Sequence, residues 1–170
     1  MSGVYHLGIE RALDYARGAT ELGVREFLVF GTASTARDNE ASAASDPNSP
    51  VCTAIRELSR SFPECRFWGH VTLAHYTEHG GNCCVGNNGE IDWELTTDRF
   101  CKICATLATS GAGIVLPFLL RPGAISSIRS YLQSNGLEDT AVFSYGAKFR
   151  SSLYGPFNRS TGITESSFGD

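Results

Sequence analysis

Long hydrophobic runs are missing from this chain. The longest apolar stretch, Ile114 to Leu120, falls far short of the ~20 residues that carry a helix across a bilayer, and the opening MSGVYHLGIERALD has no apolar core of the kind a secretory signal needs. A soluble, cytoplasmic protein with no membrane partner is expected. Charge is also sparse: charged residues fill 19% of positions, 14 basic against 18 acidic, for a formal net charge of -4. No Lys/Arg cluster is available to neutralise a run of phosphates, so nucleic acid is excluded as an expected partner. Cysteine is infrequent and unevenly placed, at 52, 65, 83, 84, 101 and 104, unlike the dense framework that staples small secreted domains. Reduced thiols are expected. What is present is 170 residues, 42% hydrophobic and 11% aromatic, enough for a single domain spanning 1–170 with a core of its own.

Apolar spacing switches between two periods along the chain. Ile9, Ala12, Leu13 and Ala16 recur every three or four residues and mark a helix face, which Gly23 ends. Glu26 to Phe30 (EFLVF) suits a short strand buried on both faces and closed by Gly31. Residues 32–50 are small, polar and proline-bearing, with no apolar period, and read as a long flexible loop. Val51, Ala54, Ile55 and Leu58 restart a helix behind Pro50, with Ser49 placed to cap it. Residues 66–76 read as a longer strand, with His70, Thr72 and Ala74 on one face and Val71, Leu73 and His75 on the other. The segment HGGNCCVGNNGE from His79 is flexible by composition and leads into a helix from about Thr97, on which Phe100, Cys104, Leu107 and Ala108 align until Gly111 and Gly113. A strand at Ile114 to Leu116, a helix opening near Pro122 with Ile125, Ile128 and Leu132 inward, and a strand at Ala141 to Tyr145 complete the pattern.

Helices alternating with buried apolar strands imply an α/β fold with a parallel sheet, because a helical crossover is the usual way to return a chain in the same direction. Such sheets place their chemistry beyond the carboxyl ends of the strands. Those ends deliver Gly31 onward, His75 to Cys84, Pro117 to Gly123, and Gly146 onward.

The last of these regions, SYGAKFRSSLYGPF from Ser144 to Phe157, resembles the lysine-bearing segment of the porphobilinogen synthase (5-aminolevulinate dehydratase) family. HYTEHGGNC from His75 resembles that family's PYTSHGHC-type loop, SNGLED resembles the end of its fourth helix, and GVYHLGIERA resembles the segment before its first barrel helix. The resemblance spans nearly the whole chain. It implies a (β/α)8 TIM barrel, of which this chain would be a truncated, diverged, half-barrel version with about four βα units. It also implies a lyase that condenses two aminoketo acid molecules into a pyrrole through a lysine Schiff base. Lys148 matches the first of the family's lysine pair, and nothing in the 170 residues matches the second. Four strands would leave unpaired edges, a hazard that soluble proteins cover. A second copy of the chain, or a full-length homologue, is the expected cover.

For Lys148 to attack a carbonyl it must lose its proton. An amine with a pKa of about 10.4 sits ~3.4 units from neutrality at pH 7, a cost of roughly 4.6 kcal/mol. Arg150 and Arg159 supply nearby positive charge, and Phe143, Phe149, Tyr154 and Phe157 an apolar lining; both lower an ammonium pKa. From composition alone, a lysine beside an arginine is solvated surface. The resemblance is what turns Lys148 into a catalytic candidate, with His79 as proton carrier and Tyr154 beside it. His79 could equally anchor its Gly-rich loop, and Tyr154 could simply pack.

The family's zinc-binding cysteines match Thr72, Ala74 and Asn82 here. None offers the thiolate or imidazole that zinc prefers, so no metal or other cofactor is expected, although Cys83, Cys84 and nearby histidines leave a rearranged site conceivable. Cys101 and Cys104 have redox-motif spacing but lie in a helix pattern, which favours buried packing. Two further departures bear on the substrate. His70 stands where the family carries an acidic residue, and Pro117, Phe118 and Leu119 stand where it has a PSD-type segment. His70, Phe118, Arg150 and Phe157 are therefore candidate contacts to a small carbonyl substrate more hydrophobic than the family's own, in a specialised biosynthetic pathway. A non-catalytic paralogue that binds a ligand or a full-length partner is the alternative.

Overall fold

The computed structural model describes residues 5–32, 37–119 and 121–147. Helix α1 (Ile9–Glu21) leads into strand β1 (Glu26–Val29), and helix α2 (Pro50–Ser61) into β2 (Arg66–Val71). A short hairpin of β3 (Cys84–Val85) and β4 (Ile91–Asp92) precedes helix α3 (Trp93–Thr109), strand β5 (Ile114–Pro117), helix α4 (Ala124–Ser134) and strand β6 (Ala141–Val142). The main sheet runs in the order β1-β2-β5-β6, with every pair parallel. Successive strands are neighbours, as helical crossovers of one hand require when a sheet curls towards a barrel.

Local chemistry sets the helix limits. Gly23 adopts φ 94° just after α1, where its N–H and that of Val24 reach back to the Thr20 and Ala19 carbonyls; a side chain at that φ would be strained. Ser49 caps α2 by accepting from the Cys52 N–H at 3.4 Å, with Pro50 at the first helical position. Helix α3 begins at Trp93, four residues earlier than its apolar spacing implies, because the Asp92 carboxylate accepts from the Leu95 N–H at 2.9 Å. A cap fixes a helix start independently of which face is apolar.

Among the described residues, the helices cover one face of the sheet. Ile55, Val71, Phe100, Cys104, Leu107, Val115, Ile128 and Leu132 form the main core between sheet and helices, and Ala16, Leu58, Phe62 and Phe67 a smaller one under α1 and α2. Gly69 lets α3 lie against β2: a Cβ there would stand 3.0 Å from Leu107 Cδ1 and 3.5 Å from Ile55 Cδ1. Cys101 and Cys104 are buried in this packing, as their helix pattern implied; burial pushes the Cys101 thiol up to about 11 and the Cys104 thiol higher still. Burial therefore favours the protonated thiol at both positions.

Two segments are more structured than their composition suggests. Within 32–50, Ser42–Ser45 form a 3-10 helix, and Ala41 and Ala44 are buried in the main core. The Asp38 carboxylate accepts from the Glu40 and Ser42 N–H groups, Val85 N–H bonds to the Asn39 carbonyl, and Arg99 Nε bonds to the Glu40 carbonyl. Methyl groups and main-chain bonds hold this segment, and neither leaves a periodic apolar signal. The Gly/Asn-rich stretch likewise folds into the β3–β4 hairpin, with Cys83, Cys84 and Val85 buried.

Candidate active site at the strand carboxyl ends

Strand β2 stops at Val71, not at residue 76. Its partner in register there is Pro117, and the last ladder bond runs from the Phe118 N–H to the Val71 carbonyl at 3.0 Å. The chain then turns, with the Tyr76 and Thr77 N–H groups bonding back to the Leu73 carbonyl. The alternation expected for 72–76 is therefore lost, and Thr72 through Thr77 are all buried.

The alternation that survives defines the site. On β2, Phe67, Gly69 and Val71 face the helices, which leaves Trp68 and His70 on the opposite side. On β1, Phe27 and Val29 pack under the helices, while Leu28 and Phe30 are 44% and 50% exposed. The second face is thus lined by apolar side chains. Near the carboxyl ends these become an aromatic wall. Phe30 stacks on His70 with ring centroids 4.4 Å apart, Tyr145 stands edge-on to His70 at 6.2 Å and to Phe118 at 5.1 Å, and Phe143 meets Trp68 at 5.1 Å. Each such contact adds to burial by matching ring edges to ring faces. Burial also raises the pKa of the Tyr145 phenol.

Of the candidate residues, His70 and Phe118 are brought together through Tyr145, and Phe118 is 4% exposed. His79 sits in the loop after β2. Its Nδ1 accepts from the Gly81 N–H at 3.1 Å, and burial lowers its pKa, which favours the neutral imidazole. Lys148, Arg150, Tyr154 and Phe157 lie outside the described residues. Phe30 and Tyr145 escaped the sequence reading as site residues. Their only signal was a shared face, position 30 with position 28 and position 145 with position 143.

The loop also decides whether the residues at the family's zinc positions fit a metal. Asn82 Oδ1 accepts from the Thr72 hydroxyl, from the Leu73 N–H at 2.8 Å and from the Ala74 N–H at 3.3 Å. With three donors converging on it, that amide oxygen has no lone pair left for a cation, and Ala74 offers only a methyl group. Burial raises the Cys83 thiol pKa and pushes that of Cys84 up to about 11. The residues do not fit the metal. Among the described residues, no three His, Cys, Asp or Glu side chains gather as a metal-binding group.

A family model described as Delta-aminolevulinic acid dehydratase matches residues 1–170. The chain belongs to the delta-aminolevulinic acid dehydratase family. Relatives carrying that name include the Candida glabrata protein, 35% identical with all of this chain and 51% of that protein covered. The Bos taurus protein is 33% identical, with all of this chain and 52% of that protein covered. The solved structure of Toxoplasma gondii porphobilinogen synthase, in complex with its product porphobilinogen, superposes with a TM-score of 0.89 at 30% identity over 95% of this chain and 47% of that one. The chain thus spans about half the length of the dehydratase relatives it matches. Its four parallel strands and four helices are the half-barrel expected from the resemblance. Among the described residues, no helix is long and apolar enough to cross a membrane.

Proposed function

We propose that this dehydratase-family chain is a porphobilinogen-synthase-like lyase in which Lys148 forms a Schiff base with a small carbonyl substrate. The supporting observation is that the family match runs through SYGAKFRSSLYGPF, whose lysine follows Tyr145 of the aromatic wall by three residues in the chain. The neutral amine attacks the carbonyl carbon, and loss of water gives the protonated imine. Removal of the α-proton then leaves an enamine, a carbon nucleophile for condensation, followed by dehydration or cyclisation. His70, or His79 if its loop bonds open, carries the proton. Arg150 and Tyr154 position the substrate, and Phe157 and Phe118 line its apolar side. Because His70 and Phe118 offer no carboxylate for a substrate ammonium, a substrate more hydrophobic than delta-aminolevulinic acid suits the site, as in a specialised cytoplasmic pathway.

A second copy of the chain closes the barrel in this reading. All four strands point the same way, β1 and β6 each have one strand neighbour among the described residues, and a twofold axis along the barrel brings β6 of one copy beside β1 of the other. The rival reading, a non-catalytic paralogue that presents this open face to a full-length homologue, is favoured by the exposure of Leu28, Phe30 and Phe143.

Reduction with borohydride in the presence of delta-aminolevulinic acid and a series of bulkier ketones, followed by peptide mass spectrometry, separates the two. Lysine occurs only at 102 and 148, and Lys102 is ion-paired to Asp98 at 2.7 Å, so it serves as an internal control. The lyase reading requires an adduct on Lys148 that Lys148→Ala abolishes. No adduct with any ketone, under conditions where the oligomer is intact, overturns it.

A further inference from the structure

We propose that Asn82 does for this chain what a bound metal would otherwise do: it clamps the loop after β2 with an amide oxygen, making the loop's shape independent of zinc. The geometry is a fan of donors closing on one acceptor. The Thr72 hydroxyl and the Leu73 and Ala74 N–H groups all point at Asn82 Oδ1, and the Ala74 N–H is shared with Thr72 Oγ1 at 3.2 Å. The Leu73 N–H lies two residues beyond the end of β2, where the ladder to β5 has run out, so without Asn82 it would be a buried donor lacking an acceptor, and the Ala74 N–H would keep Thr72 Oγ1 alone. Asn82 lies across the loop from them, and its bonds join the two ends of the turn that carries His75 and His79. Further bonds continue the brace on the Asn82 side: Thr77 Oγ1 donates to the Gly81 carbonyl at 2.9 Å, Gly81 N–H donates to His79, and the Cys84 N–H donates to Thr96 of α3 at 2.9 Å.

Among the described residues, the bonds of the clamp all end on the amide oxygen of Asn82. This yields a discriminating pair of variants. Asn82→Asp keeps an acceptor oxygen of the same size and reach, and a carboxylate accepts such bonds at least as well. Asn82→Leu keeps the volume and removes the acceptor. The readout is hydrogen exchange at the Leu73 and Ala74 amides, which is separate from the chemistry at Lys148. Its outcome therefore stands apart from the fate of the lyase reading.

In the wild-type chain, exchange at both amides and the thermal midpoint are expected to be unchanged by a chelator or by added zinc. In Asn82→Leu, exchange at the Leu73 amide is expected to quicken by about tenfold or more and at Ala74, which keeps Thr72 Oγ1, by less, while Asn82→Asp stays close to wild type. If Asn82→Leu fails to fold, Thr72→Val takes its place: it removes the shared hydroxyl, and Ala74 is expected to lose more protection than Leu73. The proposal is overturned by one zinc per chain whose removal frees these amides, by unchanged exchange in the variant that removes the acceptor, or by failure of Asp to substitute for Asn.

Discussion

Phe143 offers the sharpest test of the open sheet face. It is 57% exposed and Phe30 is 50% exposed, on the side of the sheet that the helices leave bare. A phenylalanine side chain carries roughly 200 Å² of surface, so covering the exposed part of Phe143 removes about 115 Å² from water, or about 3 kcal/mol at ~25 cal/mol per Å². In a twofold dimer the term counts twice, for about 6 kcal/mol, comparable to the lower end of what association costs in lost freedom, ~4–15 kcal/mol. Phe143→Glu deletes this term and places a charge against the partner, so dissociation should become easier by at least about a thousandfold. Sedimentation velocity checks it. The wild-type chain should sediment at twice its 18.3 kDa mass, and Phe143→Glu at that mass itself, with unchanged far-ultraviolet circular dichroism because the side chain is half in solvent. A wild-type chain that remains monomeric at tens of micromolar, or a variant that dimerises as well as the parent, refutes the reasoning that this face seeks a second copy.

Gly69→Ala should cost about 1 kcal/mol in urea unfolding, an overpacking penalty against Leu107 of ~1–3 kcal/mol less ~0.5–1 kcal/mol gained from a stiffer unfolded chain. Combined with Leu107→Ala, which removes the 3.0 Å contact but keeps the Cβ at 3.3 Å, the penalty should shrink, and simple additivity of the two changes would show that Leu107 is not what demands the glycine. His75 is 5% exposed, and burial, reinforced by the charges of Arg37 and His6, lowers its pKa below the ordinary 6.5. The unfolded chain therefore binds the proton more readily, so this contribution to stability is complete above about pH 6.5 and is lost as pH falls through the folded pKa. His75→Gln should flatten the slope of the urea midpoint between pH 5 and 7.5, and an unaltered slope would place the titration elsewhere.

Hydrophobic spacing makes α1, α2 and α4 legible because each buries one regular face, and short apolar runs mark the strands: all four residues of β5 are buried, β6 stops at Val142 and not at Tyr145, and β1 buries one face and not the two its run implies, since Leu28 and Phe30 stay exposed. Ser49 was readable as a cap for the same local reason, since Ser before Pro at a helix start needs no distant partner. The segment 37–49 was opaque to that method: Ala41 and Ala44 contribute methyl groups too small to mark a period, and its fixed path depends on the Asn39 and Glu40 carbonyls meeting Val85 and Arg99 from far along the chain. Alternation continues in the letters past Val71, whereas the chain turns there: the Leu73 and Ala74 N–H groups go to Asn82, and the Tyr76 and Thr77 N–H groups bond back to the Leu73 carbonyl.

The site divides along the same line. Membership of the dehydratase family, and with it the candidacy of Lys148 and His79, is carried by short contiguous strings that any copy of the sequence displays. The same holds for the absence of thiolates at Thr72, Ala74 and Asn82. What those three positions do instead, how Phe30, His70, Phe118 and Tyr145 come to share one wall, and which sheet face stays open were settled only by folding. Each depends on strands meeting in register or on a loop closing upon itself, and a hydrogen bond between residues ten positions apart has no signature in either composition or period.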